Sequence, residues 1–181
     1  MLKVVFMGTP DFAKESLESI YNRGYEILGV VTNPDKPKGR GMKMLPSPVK
    51  EFATEKGLKI YQPQKVKNNE EFIEEIRNLN PDVICVVAYG KILPKEILEI
   101  PKLGCINVHG SLLPKYRGAA PIQWAVLNGD KTTGITTMYM DVYNLMEQKF
   151  QDTLFSSILD LYQQRLYAKF DSVRMALSES P

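Results

Sequence analysis

The residues best suited to chemistry in this sequence surround a single histidine. His109 is the only histidine among 181 residues, and it ends the apolar segment Cys105-Ile106-Asn107-Val108, which is typical of a buried strand. Side chains two positions apart in a strand share a face, so Asn107 and His109 are predicted to point the same way. An imidazole can move a proton near neutral pH, and an amide N–H can stabilise an oxyanion. The pair therefore predicts acyl-transfer chemistry, although a lone histidine is also often a structural or surface residue.

The elements that must position this pair alternate between strand and helix up to residue 140. The strands are predicted over 2–7, 26–32, 58–61, 83–88, 104–109 and 135–140. The helices are predicted over 10–24, 48–57, 69–79, 94–100 and 120–127, with Thr9 as a cap of the first and Ser47 opening the second. Near-continuous apolar strands separated by amphipathic helices predict a Rossmann-like, doubly wound α/β fold with a mostly parallel sheet.

Ligands of such sheets bind beyond the carboxyl ends of the strands, and Asn107 and His109 lie at such an end. This placement favours a catalytic role for His109. The first turn, Gly8-Thr9-Pro10-Asp11, is not a Gly-x-Gly-x-x-Gly loop, and the sequence contains no P-loop, which argues against NAD and ATP as cofactors.

The composition sets wider limits. Apolar residues make up 44% of the chain, enough for a core, and the net charge of +2 predicts no particular partner. Cys85 and Cys105 lie in apolar strand-like segments, which predicts reduced core cysteines of a cytoplasmic protein, with a disulfide as the alternative. We expect no metal site, since there is one histidine and no Cys-x-x-Cys pair. No apolar run is long enough to span a membrane.

Five ordered blocks resemble the folate-dependent formyltransferase family, above all its methionyl-tRNA branch. They are NVHGSLLPKYRGAAP at 107–121, VVFMGTPDFA at 4–13, GRG at 39–41 with LPSPVK at 45–50, VVAYGKILP at 86–94 and GITTMYMD at 134–141. The resemblance implies the formyltransferase fold and a reaction in translation initiation. A formyl group would move from N10 of 10-formyltetrahydrofolate to the α-amine of methionyl-initiator tRNA, in the cytoplasm and without a metal.

The resemblance also implies roles for individual residues. Asn107 would hydrogen-bond the developing oxyanion, and His109 would assist proton transfer. A wall of the folate site would be formed by Ser111, Leu112, Leu113 and Pro114. The pterin would be held by the chain around Tyr89, Gly90 and Ile92. For the apolar members of both sets, ordinary packing is the alternative.

A cluster of basic residues predicts a contact with nucleic acid. Lys36, Lys38, Arg40 and Lys43 fall within eight positions, among glycines and prolines that forbid a helix. A flexible cationic loop beside an active site can bind phosphates, although a charge run is usually only solvated. By resemblance, this is the loop that enters the acceptor end of the tRNA, with Arg40 as the best single candidate.

The sequence departs from the family after Asp141. The family continues with a Gly-Leu-Asp-Thr-Gly-Asp-like loop whose first Asp is its third catalytic residue, and that position is Leu145 here. A carboxylate that supports a catalytic histidine is worth on the order of 10⁴ in rate in serine proteases, so we expect impairment of similar order. The contributions of Asn107 and His109, roughly 10² to 10⁴, would survive.

We interpret residues 1–142 as a C-terminally truncated formyltransferase N-terminal domain, without the family's C-terminal β-barrel. Residues 143–181 form a non-matching tail in which apolar residues such as Phe150, Leu154 and Ile158 recur at helical spacing. They predict a long amphipathic helix that packs or dimerises, in a family that is otherwise monomeric. Three functions stay open: an impaired formyltransferase, an inactive folate- or tRNA-binding module, and a sugar-nucleotide formyltransferase. The Gly-Arg-Gly loop favours the methionyl-tRNA branch over the third.

Overall fold

A computed structural model of the chain describes residues 1–38 and 43–140. The strands are β1 (Lys3–Gly8), β2 (Glu26–Val31), β3 (Lys36–Lys38), β4 (Lys43–Leu45), β5 (Ile60–Tyr61), β6 (Val83–Val87), β7 (Cys105–His109) and β8 (Thr136–Met140). The helices are α1 (Asp11–Asn22), α2 (Pro48–Glu55), α3 (Glu70–Leu79), α4 (Lys95–Leu98) and α5 (Pro121–Leu127). Each predicted strand and helix of this region is present, with bounds that coincide or differ by at most two residues.

Six strands form one sheet in the order β5-β2-β1-β6-β7-β8. The pairs β1–β2, β1–β6 and β2–β5 are all parallel, with Val4 opposite Val83 and Phe6 opposite Cys85 in the central pair. This arrangement confirms the predicted α/β fold class. All five residues of β6 are buried, as expected of a strand covered on both faces.

The core on one face of the sheet joins strand residues to α3. Phe72, Ile73 and Ile76 recur at helical spacing on α3 and are buried against residues such as Ile84 and Val86 of β6. Cys85 and Cys105 are both free and buried, which confirms that they are reduced core residues. Burial raises the pKa of each thiol to about 12.

Two features of the first 50 residues differ from prediction. The cationic segment is not a loop throughout, because β3 and β4 form an antiparallel hairpin with Lys38 opposite Lys43 in the register. Thr9 does not cap α1, whose N-cap is Pro10 with no side-chain bond. The Thr9 hydroxyl oxygen instead accepts hydrogen bonds from the backbone N and side-chain Nδ2 of Asn33, at 3.3 and 3.0 Å. Ser47 does cap α2, because its Oγ accepts from Lys50 N at 3.1 Å.

The described residues divide into two compact units. The first comprises residues 1–107 with 139–140, and the second comprises residues 108–138. Within the described ranges, no helix combines the length and the apolar character needed to cross a bilayer. The predicted tail helix, Arg40 and Leu145 lie outside the described residues.

Candidate functional site

Strand β7 carries the two residues singled out for chemistry. Asn107 and His109 are half-buried, whereas Ile106 and Val108 are buried, as expected when alternate side chains share a face. His109 Nε2 lies 3.0 Å from the backbone oxygen of Tyr116. A carbonyl oxygen can only accept a hydrogen bond, so Nε2 carries the hydrogen of the neutral ring. Nδ1 is then left with a lone pair that can accept a proton.

The segment after His109 is held by hydrogen bonds within the second unit. Ser111 is fully buried, and its Oγ donates to the backbone oxygen of Lys115 at 2.7 Å. Thr136 Oγ1 donates to the backbone oxygen of Ser111 at 2.7 Å and accepts from Leu113 N at 3.1 Å. Thr136 therefore fixes both ends of the turn that carries Leu112, whose side chain is 54% exposed.

The four residues predicted to line a folate site, 111–114, differ in their exposure to solvent. Leu112 and Pro114 are exposed, Leu113 is half-buried, and the Leu113–Pro114 peptide bond is cis. The hydroxyl of Ser111 serves the turn itself, so that residue presents backbone rather than side chain. These observations describe a rigid turn with one accessible leucine.

Leu112 owes its position to a glycine. A Cβ atom placed on Gly134 would lie 2.5 Å from Leu112 Cδ2 and 2.8 Å from Leu112 Cγ. Such distances are too short for any real contact, so only a glycine at 134 lets Leu112 lie where it does. Gly110 is similar but less crowded, because its Cβ would meet Ile122 Cγ1 at 3.0 Å.

The Tyr116 carbonyl that faces His109 belongs to a strained turn. Tyr116 has a φ of 57°, a left-handed conformation that costs a non-glycine residue about 1–2 kcal/mol. Its Oη donates to Asp130 Oδ2 at 2.7 Å and accepts from Asn128 Nδ2 at 3.2 Å. The neighbouring Lys115 Nζ donates to both carboxylate oxygens of Asp130 at 2.8 Å. Hydrogen bonds from Lys115 and then Tyr116 lower the pKa of Asp130, so it stays ionised.

In the first unit, Asn33 ties together the carboxyl ends of several strands. Its Nδ2 donates to the backbone oxygen of Tyr89 at 2.9 Å and to Thr9 Oγ1 at 3.0 Å, and its own backbone oxygen accepts from Gln62 Nε2 at 3.0 Å. These partners follow β1, β5 and β6, so one amide fixes the edge where ligands of parallel sheets bind.

The residues predicted to hold a pterin follow β6. The Tyr89 side chain is 1% exposed, its hydroxyl has no hydrogen-bond partner among the described residues, and burial raises its pKa to about 12. Tyr89 therefore offers only backbone to a ligand. Gly90 has a φ of 77°, with no atom within 4 Å of a Cβ added there, and Ile92 is 91% exposed. Beside them, Lys91 Nζ donates to the backbone oxygens of Pro63 and Gln64 at 2.7 and 3.0 Å.

Of the basic cluster, the structure places Lys36 on β3 with an exposed side chain. Lys38 ends the same strand, Lys43 begins β4, and Arg40 falls in the undescribed residues between them. Burial and Lys36 together lower the pKa of Lys91, burial being the larger cause. Over residues 1–38 and 43–140, no three His, Cys, Asp or Glu side chains are grouped so that they could hold a metal ion.

Sequence reasoning missed Asn33, Tyr116, Asp130 and Thr136. Asn33, Tyr116 and Thr136 act through backbone groups, and Asp130 acts through the side chains of Lys115 and Tyr116. All these contacts join residues that are apart in the sequence, so they leave no local pattern. Thr136 and Tyr116 do lie within quoted sequence blocks, but their residue types alone suggest no role.

Comparison with known proteins gives a consistent result. The sequence profile described as formyl transferase matches residues 2–145. The chain is 64% identical over 140 residues to a methionyl-tRNA formyltransferase of Caldanaerobacter subterraneus subsp. tengcongensis, which covers 77% of this chain and 45% of that protein. It is 67% identical over 140 residues to the methionyl-tRNA formyltransferase of Clostridioides difficile, with the same coverage. The chain thus spans less than half the length of these curated relatives.

Solved structures confirm the fold alone. A phosphoribosylglycinamide formyltransferase from Bacillus halodurans superposes with a TM-score of 0.62 at 18% identity, covering 99% of this chain and 97% of that one. The corresponding protein from Streptococcus pneumoniae gives a TM-score of 0.63 at 18% identity, covering 96% and 98%.

Proposed function

The chain belongs to the formyl transferase family, and from that membership we propose that it carries the module for formyl transfer from 10-formyltetrahydrofolate to the α-amine of methionyl-initiator tRNA. One observation supports the proposal most directly. Strand β7 presents Asn107 and His109 on one half-buried face, and the Tyr116 carbonyl engages His109 Nε2, which leaves Nδ1 to accept a proton. The relatives that share this segment are named for the same reaction.

The residues present suit a folate. 10-Formyltetrahydrofolate supplies a formyl carbon that an amine can attack. In the second unit, the exposed side chain of Leu112 offers apolar surface to a ring of the folate. In the first unit, taken by itself, Ile92 offers exposed apolar surface and open space at Gly90 allows close approach of the backbone. Ser111, Leu113, Pro114 and Tyr89 contribute chiefly by shaping the backbone on which these surfaces stand.

Asn107 and His109 divide the chemistry between them. As the amine nitrogen bonds to the formyl carbon, the Asn107 amide donates a hydrogen bond to the formyl oxygen, which gains negative charge. His109 Nδ1 accepts the proton that the amine must lose. When the bond from the formyl carbon to N10 breaks, the same proton passes from His109 to N10. No proton or electron pair is left over, so the imidazole returns to its starting state.

The nucleic acid binds, in this proposal, through the basic cluster Lys36, Lys38, Arg40 and Lys43. Lys36, Lys38 and Lys43 belong to the antiparallel pair of β3 and β4, whereas Arg40 lies outside the described residues. Contacts between such side chains and phosphates release counterions, so tRNA affinity falls steeply with salt. Replacing Lys36 should weaken binding and also lower the slope of that salt dependence by about one.

A second function is favoured by one specific observation. Leu145 stands where the family resemblance expects a catalytic Asp, and a leucine can neither orient nor stabilise an imidazolium. The chain would then bind folate or tRNA and transfer formyl groups slowly or not at all. We retain this as the alternative to a working enzyme.

The test is formyl transfer from labelled 10-formyltetrahydrofolate to methionyl-tRNA, with folate binding measured in parallel by calorimetry. His109→Ala and Asn107→Ala are compared with a control variant, Asp82→Ala. The Asp82 carboxylate accepts a hydrogen bond from Lys3 N, and both residues precede β7 by more than 20 positions in the sequence. Turnover that disappears in the first two variants and persists in the third supports the enzyme. Binding of folate or of tRNA without turnover, each measured by calorimetry, supports the binding module. A folded chain that binds neither ligand and does not turn over contradicts both.

A further inference from the structure

We infer that Asp130 is a positioning residue for His109, acting through the backbone of Tyr116 to hold the imidazole in its Nε2–H tautomer. The inference rests on the proposed function, in which His109 Nδ1 accepts a proton. Asp130 follows α5 in the sequence, and no sequence motif connects it with the chemistry of β7.

The contacts form a continuous path inside the second unit. The Asp130 carboxylate accepts hydrogen bonds from Tyr116 Oη at 2.7 Å and from Lys115 Nζ at 2.8 Å. Two successive residues of the turn are therefore bound to one carboxylate. The backbone oxygen of Tyr116 in turn accepts from His109 Nε2 at 3.0 Å.

The turn needs such an anchor because its conformation is unfavourable by itself. Tyr116 is in the left-handed region, which non-glycine residues rarely adopt unless their surroundings hold them there. Ser111 Oγ fixes the preceding carbonyl, that of Lys115, but it does not reach the Tyr116 side chain. The Asp130 side chain is 17% exposed, whereas that of Lys115 is 58% exposed, so the carboxylate is the more enclosed partner of the pair.

Loss of the anchor has a chemical consequence. If Tyr116 relaxes out of the left-handed region, its carbonyl turns away from the imidazole and Nε2–H loses its acceptor. The neutral ring can then place its hydrogen on either nitrogen. Molecules with the hydrogen on Nδ1 have no lone pair there and cannot accept the amine proton, so the competent fraction falls.

A single histidine makes the test direct. The full chain, labelled with ¹⁵N-histidine, gives the imidazole signals of His109 alone in a long-range ¹H–¹⁵N correlation spectrum. At about pH 9, well above the usual titration range of imidazole, the pattern reports the tautomer of the neutral ring. We expect a single Nε2–H pattern in the unmodified chain and a mixture of both tautomers in Asp130→Ala.

Further variants separate positioning from general damage. Asp130→Asn keeps an oxygen that accepts from Tyr116 Oη and should largely restore the single pattern. Tyr116→Phe keeps the ring and the carbonyl but loses the bond to Asp130, and should resemble Asp130→Ala. Asp82→Ala removes a half-buried carboxylate of the first unit and should leave the His109 signals unchanged.

The outcomes are distinct from those that test the proposed function, because the spectrum needs neither folate nor turnover. An unchanged tautomer in Asp130→Ala overturns the inference, as does an Nδ1–H pattern in the unmodified chain. If Asp130→Ala does not fold, a normal pattern in folded Tyr116→Phe overturns it equally. Where turnover is measurable, the positioning role also requires a lower kcat with an unchanged KM for folate.

Discussion

Replacing Gly134 by alanine should weaken folate binding without unfolding the protein. The new methyl group would lie 2.5 Å from Leu112 Cδ2, which is 0.9 Å closer than the 3.4 Å at which ordinary contact begins. Leu112 is the flexible and half-exposed partner, so it must move while the backbone stays. The proposed folate wall would then lose its accessible leucine.

The size of the effect follows from burial. Complete burial of a leucine side chain is worth about 1.5–3 kcal/mol. Leu112 is 54% exposed, so a ligand that covers it can gain up to about half of that amount. We expect a loss of about 1 kcal/mol, or roughly a fivefold higher Kd for tetrahydrofolate. The free energy of unfolding should change by less than about 1 kcal/mol. Alanine gives the unfolded chain fewer conformations than glycine does, and this stabilising effect offsets the packing that Leu112 loses.

A double-mutant cycle in isothermal titration calorimetry tests the cause. Leu112→Ala removes the side chain with which the new methyl group of Gly134→Ala collides, so the double variant should bind tetrahydrofolate as Leu112→Ala does. A double variant that binds much more weakly than Leu112→Ala would show that the substitution of Gly134 acts by another route. Normal binding by Leu112→Ala would remove Leu112 from the folate wall altogether.

Three further predictions concern the core and pH. Gly8→Ala should lower the free energy of unfolding by about 1–3 kcal/mol in urea titrations, because its Cβ would lie 2.6–2.8 Å from buried atoms that cannot move aside. Hydrogen bonds from Lys50, and then from Gln62, lower the pKa of Asp35 in the folded chain. The part of the free energy of unfolding that comes from this shift is fully present above about pH 4, and it is lost as the pH falls through the lowered pKa. Asp35→Asn should therefore flatten the acid limb of the stability curve. Cys85 and Cys105, each with a pKa of about 12, should alkylate at about pH 8 at least 10³-fold more slowly in the folded than in the unfolded chain.

The hydrophobic periodicity of the sequence predicts the strands and helices of the main sheet well, and it predicts the short β3–β4 hairpin poorly. Strand β6, which contains Ile84 and Val86, is apolar along its whole length because both faces of the sheet are covered, and such a run is easily recognised in the sequence. The β3–β4 hairpin is not plain, because Pro37 and the lysines beside it suggest a loop. Only the antiparallel pairing of β3 with β4, which a single segment does not reveal, makes those residues strands.

Local chemistry misleads in the same way at Thr9. A threonine before a proline is a good helix cap by type, and here its oxygen is already occupied by Asn33, which follows another strand. Ser47 Oγ also lies 2.8 Å from Thr32 Oγ1, yet it still accepts from the Lys50 amide and caps as predicted. The prediction fails at Thr9 because both Asn33 donors bind its oxygen, and the sequence alone does not reveal that long-range contact.

The geometry around His109 also bears on what Leu145 costs. In serine proteases the carboxylate both fixes the tautomer of the histidine and stabilises the imidazolium, and the wrong tautomer accounts for a loss near 10⁴. Here the Tyr116 carbonyl engages Nε2, so the tautomer is held by the turn that Asp130 anchors. A leucine at 145 then removes the charge stabilisation but not the orientation. We therefore expect the penalty for Leu145 to be smaller than about 10⁴, and expect it to approach that value once Asp130→Ala releases the turn. A measurable rate in the unmodified chain that falls further in Asp130→Ala would agree with this division, and equal rates in the two would contradict it.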